Sequence, residues 1–155
     1  LEIERLYRDH GPALLAYAGS LLGERPAAED VLHGVFLRLL DADAPCPADP
    51  RPYLFRAVRN ATRNRARGEA RERARRDAAP LFVAPEGEDG ARADLEEALA
   101  GLPEEQRELV VLRIWGGMTI EETAATLGVP PNTAASRYRS ALERLRRRLD
   151  PTGTE

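Results

Sequence analysis

TIEETAATLGVPPNTAASRYRSALERL, residues 119–145, decides how the C-terminal half of the chain folds. Thr119 is suited to cap a helix, and Glu122, three residues on, completes a capping box. The short helix that follows reaches Leu127, where Gly128 permits the positive backbone angle of a sharp turn. Gly128-Val129-Pro130-Pro131 forms that turn, and Asn132 or Thr133 is expected to cap a longer helix running to about Leu149. On it Ala134, Tyr138, Ala141, Leu142, Leu145 and Leu149 recur at three-four spacing and are expected to face the core. Ala124 is small where the two helices must cross. Together these are the layout of a helix-turn-helix. The second helix then exposes Asn132, Thr133, Ala135, Ser136, Arg137, Arg139 and Ser140 on its N-terminal half, where such a helix meets DNA. Asn and Arg suit paired hydrogen bonds to base edges, and Ser and Thr suit phosphates.

Upstream, Leu95, Ala98, Leu99 and Leu102 line one helix, and Leu109, Val110, Leu112 and Ile114 line the next, which Gly116-Gly117 ends. Before them, Pro80, Pro85, Gly87 and Gly90 mark a linker carrying a short apolar triplet, Leu81-Phe82-Val83. The N-terminal part begins with a helix over residues 1–22, striped with Ile3, Leu6, Tyr7, Leu14, Leu15, Ala18 and Leu21, which Gly11-Pro12 is expected to divide or kink. Pro26 suits a first helical turn, with Glu29 and Asp30 near the positive end of the dipole. That second helix carries Val31, Leu32, Val35, Phe36, Leu39 and Leu40. The proline-rich stretch from Asp41 to Pro52 resists regular structure. A third helix from about Tyr53 is anchored by Leu54, Phe55 and Val58, and beyond Ala61 it is almost all Arg, Ala, Asn and Glu. The expectation is an all-α protein of two small helical domains, residues 1–78 and 92–150, joined by a flexible linker over 79–91.

All 23 basic residues are arginine, against 26 acidic residues, for a net charge of −3. The charges are sorted into blocks. Residues 51–76 are strongly basic, 86–108 acidic, and 137–148 basic again. Two basic patches across an acidic joint suggest two separate contacts with nucleic acid, because phosphate neutralisation is local. One cysteine, Cys46, excludes an internal disulfide, and two histidines leave little for a metal site. No nucleophile–base set and no phosphate-cradling loop occurs, which argues against an enzyme and against a cofactor. No apolar run suits membrane insertion and no signal pattern opens the chain, so a cytoplasmic protein is expected. The chain starts without Met, and residues preceding Leu1 are expected.

A helix-turn-helix alone serves a repressor or a response-regulator output domain equally well; the surroundings discriminate. Residues 98 to 147 closely resemble region four of extracytoplasmic-function sigma factors, through Leu102-Pro103, Gln106-Arg107, Leu112, Gly117, Leu127-Gly128-Val129, Thr133, Ser136-Arg137 and Ala141-Leu142-Glu143-Arg144-Leu145-Arg146. The N-terminal part independently resembles region two: Leu6-Tyr7, Ala28-Glu29-Asp30, Val35-Phe36-Leu37-Arg38-Leu39, Pro52-Tyr53-Leu54 and Arg59-Asn60.

The resemblance implies a transcription initiation factor. Its second helix, with Glu29, Asp30, His33, Phe36 and Arg38, would dock on core RNA polymerase. The loop from Asp41 to Asp49 and the third helix would handle the minus-ten element of promoter DNA, where a base is extruded and the strand held open. Arg56, Arg59, Asn60, Arg63, Asn64, Arg65 and Arg67 would grip that strand. The recognition helix would read the minus-thirty-five element. An anti-sigma factor is an expected partner. Three positions depart from the family pattern: His33-Gly34 replaces Gln and an acidic residue, Asn64 replaces Asp, and Ala134-Ala135 replaces a valine-lysine pair. The residues also admit a stand-alone regulator built on the helix-turn-helix, or a sigma-like decoy that binds polymerase without melting DNA.

Overall fold

The computed structural model describes residues 2–42, 45–73 and 89–150. These form seven helices and no strand: α1 (Glu2–Leu22), α2 (Arg25–Ala42), α3 (Arg51–Arg73), α4 (Asp89–Ala100), α5 (Glu104–Ile114), α6 (Ile120–Leu127) and α7 (Pro131–Leu149). The apolar triplet at 81–83 and most of the expected linker lie outside the described residues.

Helix α1 runs unbroken through Gly11-Pro12. An interior proline costs about 3 kcal/mol through its lost hydrogen bond and ring clash. Burial outweighs that here. Leu14, Ala16, Tyr17, Ala18 and Ser20 are all at most 1% exposed, because the C-terminal half of α1 is enclosed by α2, α3 and α5. Each fully buried large apolar side chain contributes roughly 1.5–3 kcal/mol.

Helix α2 packs Val31, Leu32, Val35 and Phe36 inward, whereas Leu40, expected on the same stripe, is exposed together with Leu37. Gly34 lies mid-helix, and a β-carbon there would meet nothing within 4 Å. Gly34→Ala is therefore expected to stabilise the fold by about 0.5–1 kcal/mol, since alanine loses less backbone entropy in a helix and gains no clash. A rise in thermal midpoint of a few degrees checks it; a lower midpoint would contradict it.

The second half is a helical array in which α7 packs on α4, α5 and α6. Thr119 caps α6, and its hydroxyl and the Glu122 side chain exchange hydrogen bonds with each other's backbone amides, the expected capping box. Gly128 closes α6 at φ 70°, the left-handed region. The start of α7 differs from expectation. Pro130 occupies the N-cap in extended conformation, Pro131 opens the helix, and no side chain caps it. Proline at the first position lacks an N–H, so there is one orphan donor fewer to satisfy. Ala134, Ala141 and Leu145 face inward as expected, and Tyr138 is half-buried, but Leu142 and Leu149 are exposed. Ile114, on the expected stripe of α5, is exposed as well.

The two halves share one apolar core. Tyr17, Phe55 and Val58 of the first half and Leu99, Val110, Leu112 and Met118 of the second belong to a single buried cluster. Helix α1 packs on α5, and α3 on α6. A smaller cluster of Leu109, Ala124 and Ala134 sits under the helix-turn-helix.

Candidate nucleic-acid interface

Helix α3 has two sharply different sides. Leu54, Phe55, Val58 and Thr62 are buried, whereas Tyr53, Arg56, Asn60, Arg63, Asn64 and Arg67 are exposed. At 100° per residue those six positions fall on one continuous face. The apolar anchors thus aim the basic and amide side chains at solvent together, without any of the latter contributing to the core.

Arg59 stands apart from this set. It lies at the edge of the face, and its Nε donates to Glu108 Oε1 of α5 at 2.8 Å. Its side chain is 13% exposed and that of Glu108 is 10% exposed. The hydroxyl of Tyr17 donates to the same carboxylate oxygen at 2.5 Å. Arg65, also expected on DNA, points instead toward Asp30 of α2 at 3.7 Å.

Burial, followed by the charge of Glu108 and the hydrogen bond to it, pushes the Tyr17 hydroxyl well above its ordinary pKa of 10.0, while Arg59 and Arg63 act in the opposite direction. The folded-state value is raised, so the stabilising contribution of the neutral hydroxyl is complete below the ordinary value. It is lost as pH climbs through the higher folded one. An alkaline titration followed by tyrosinate absorbance is expected to show a late step coincident with unfolding. Tyr17→Phe should remove that step; its persistence would assign it elsewhere.

A second tether lies nearby. Arg51 Nη1 donates to the Gly117 carbonyl at 2.6 Å, and Asp49 holds the guanidinium in place through hydrogen bonds of 3.1 Å to Nε and Nη2. The side-chain hydrogen bond from Arg51 keeps the Asp49 carboxyl below its ordinary pKa, against opposing desolvation.

On α7, Asn132, Ser136, Arg139 and Ser140 are exposed, while Thr133 and Arg137 are half-buried. Arg137 Nη2 lies 3.7 Å from Glu105 Oε2. The opposite flank of the helix is held by Arg113, whose guanidinium stacks 5.1 Å from the Tyr138 ring centre and donates to the Met118 carbonyl. That contact fixes α7 relative to the loop before α6.

Among the residues expected to dock on polymerase, Asp30, His33 and Arg38 are exposed. Glu29 is half-buried and paired with Arg25 at 3.0 Å. Phe36 is corrected: it is 5% exposed, set edge-on to Tyr7 with ring centres 5.0 Å apart, and supports α2 from beneath. Leu37 and Leu40, absent from the expected set, occupy the surface at 60% and 59% exposure. The signal for them was the length of the apolar run itself, which is wider than one buried face requires. His33 stacks beside Tyr7, its Nε2 3.4 Å from the hydroxyl.

Residues 6–72 match the family pattern described as Sigma-70 region 2, and residues 92–145 match Sigma-70, region 4. The chain is 31% identical to the RNA polymerase sigma factor CarQ of Myxococcus xanthus, over 94% of this chain and 88% of that protein. The chain belongs to the extracytoplasmic-function sigma factors. It is also 33% identical to the ECF RNA polymerase sigma factor RpoE of Cereibacter sphaeroides, over 87% of this chain and 77% of that one. Among solved structures it resembles the sigma factor RpoE of Bartonella quintana, crystallised with the anti-sigma factor NepR, with a TM-score of 0.78 at 25% identity, covering 97% of this chain and 98% of the other. This sigma factor is a transcription initiation factor that directs RNA polymerase to promoters, in a family of non-catalytic transcription factors. Among the described residues no His, Cys, Asp and Glu cluster could hold a metal ion, and no helix is long and apolar enough to cross a membrane.

Proposed function

We propose that the sigma factor divides its work between residues 1–78 and 92–150, connected by residues 79–91. The first part docks on core RNA polymerase through the α2 surface, using Glu29, Asp30, His33, Leu37, Arg38 and Leu40. It then holds the non-template strand of the minus-ten element with Arg56, Arg59, Asn60, Arg63, Asn64 and Arg67. The observation that carries this reading is the single exposed face of α3, on which five of these six side chains stand over a buried apolar base. Guanidinium and amide groups on one rigid helix suit a single strand, whose phosphates and bases are both accessible. At the end of α2 a cavity of about 200 Å³ opens among Ile3, Leu6, Leu39, Pro47, Tyr53 and Leu54. It supports the placement of an extruded base beside the loop that precedes α3.

The second part reads the minus-thirty-five element in the major groove with Asn132, Thr133, Ser136, Arg137, Arg139 and Ser140. The protein works in the cytoplasm, where polymerase and promoters are. An anti-sigma factor is its inhibitory partner. Supporting this, the likeness to the NepR-bound sigma factor covers 97% of the chain at a TM-score of 0.78, a value that one matching half alone could not reach.

Run-off transcription tests the whole reading. Core polymerase with this protein on fragmented genomic DNA is expected to produce discrete new start sites sharing upstream sequence, compared with core alone. Background transcripts only, from folded protein, would overturn it in favour of a decoy or a polymerase-free regulator.

A further inference from the structure

Helix α7 carries two arginines on its N-terminal half, and they do not stand alike. Between Pro131 and Glu143 the only cations are Arg137 and Arg139. Ala134, Ala141 and Leu145 of the same helix face the core. At about 100° per residue, Arg139 lies about 140° from their mean direction and Arg137 only about 60°. Asn132 and Ser136 share the outward face with Arg139, and all three are exposed. Arg137 is turned to the flank, with its side chain 33% exposed and its Nη2 3.7 Å from Glu105 Oε2 of α5. Among the described residues no acidic group pairs with Arg139. Glu143, one turn further along the outward face, is held by Arg147 at 2.6 Å instead.

We propose that Arg139 is the specificity-determining residue of α7: it reads a guanine of the minus-thirty-five element through O6 and N7, while Arg137 touches no base. The assignment rests on the reading that α7 lies in the major groove at that element. A guanidinium offers two parallel N–H donors, and guanine presents two acceptors side by side on its major-groove edge. That pair forms only if the donors reach the floor of the groove. A side chain at the centre of the outward face points at the floor. One on the flank points toward the groove wall and, here, toward Glu105. The outward face is also bounded. Asn132 to Arg139 covers about 10 Å of helix axis, the length of roughly three base pairs. Beyond it the Glu143 carboxylate repels phosphate, and within it Ala135 offers no donor. Along that length Arg139 alone brings a cation to the bases, and Asn132 and Ser136 meet the neighbouring positions with neutral groups.

Core polymerase loaded with the native chain or a variant, transcribing fragmented genomic DNA, tests this once the transcripts are sequenced and their upstream regions aligned. The native start sites are expected to share an upstream block containing a guanine. Arg139→Ala should lower the preference for guanine at that one position about five-fold or more, leaving its neighbours as selective as before. Arg139→Gln should transfer the preference to adenine, whose N6 and N7 suit an amide. It decides the matter if circular dichroism shows Arg139→Ala to be misfolded. Arg137→Ala should lower transcript yield at all promoters alike and change no base preference. A uniform loss in Arg139→Ala, with every position still selective, overturns base reading and leaves Arg139 a phosphate contact. Loss of the guanine preference in Arg137→Ala but not in Arg139→Ala overturns the proposal by transferring the role to Arg137. A shared upstream block without a selective guanine overturns it as well, while α7 keeps its element. Native start sites with no shared upstream block overturn the assignment of α7 itself.

Discussion

Arg59→Ala combined with Arg63→Ala is expected to abolish promoter opening while the protein still binds core polymerase. Both residues lie on α3, Arg63 in solvent and Arg59 at the edge of the same face, and neither supports the apolar base of Leu54, Phe55 and Val58 beneath it. A hydrogen bond to a charged partner contributes about 1.5–3 kcal/mol, so losing two removes roughly 3–6 kcal/mol from the melted complex, a factor of about 10² to 10⁴. The docking surface on α2 is untouched, so holoenzyme should form with native affinity in a native gel. Permanganate reactivity of unpaired thymines measures opening directly. Loss of Arg59 also leaves the Glu108 carboxylate to Tyr17 alone, so a circular dichroism spectrum and thermal midpoint close to native are required of the double variant before its defect is assigned to the strand. Arg5→Ala with Arg8→Ala, two exposed positions on α1, controls for the general loss of positive charge. Normal permanganate footprints in the Arg59, Arg63 double variant would remove α3 from the melting step.

What could be read from the sequence followed how local the physics is. The capping box at Thr119 and Glu122 and the left-handed Gly128 involve residues within a few positions of one another, and both stand as expected. The cap of α7 was missed because proline satisfies a helix start by needing less, a negative signal that Asn132 and Thr133 obscured. Leu40, Leu142, Leu149 and Ile114 show the limit of periodicity. An apolar residue in register with a stripe is buried only if a neighbour arrives to cover it. Phe36 shows the converse, a side chain expected at a docking surface that its own Tyr7 covers. The contact between the halves was the least legible feature, because Arg59 and Glu108 are 49 residues apart and each reads as a solvated charge. One signal did exist. Arg107 and Glu108 precede Leu109-Val110-Val111-Leu112 with no polar residue between, and all six are buried. A helix enclosed on every side must find partners for whatever charges it carries. Arg107 finds the Ala100 and Leu102 carbonyls, although burial pulls its guanidinium below the ordinary pKa, and Glu108 finds Tyr17 and Arg59.

Phe55→Ala should be the most damaging single truncation for stability. The Phe55 side chain is 1% exposed and tilts against Tyr17 with ring centres 5.5 Å apart. Its tip reaches across to the second half, where a β-carbon on Gly116 would lie 3.1 Å from Cζ. One ring therefore fills space in the first helical array and at the boundary with the second. Truncating a buried phenylalanine costs about 3–5 kcal/mol, from lost transfer energy plus the cavity left behind. Against a typical total of about 5–15 kcal/mol, that removes a large share of the stability. Because the ring serves both halves, Phe55→Ala should lower the unfolding midpoint in urea and also loosen the closed arrangement. Phe55→Leu, which keeps most of the volume, should lose far less of either. Leu142→Ala, at a position 36% exposed, should shift the midpoint only slightly. Equal losses for Phe55→Ala and Leu142→Ala would mean that the boundary between the halves is soft enough to refill the cavity. The packing of Phe55 against Tyr17 and Gly116 would then contribute little to holding α3 in place.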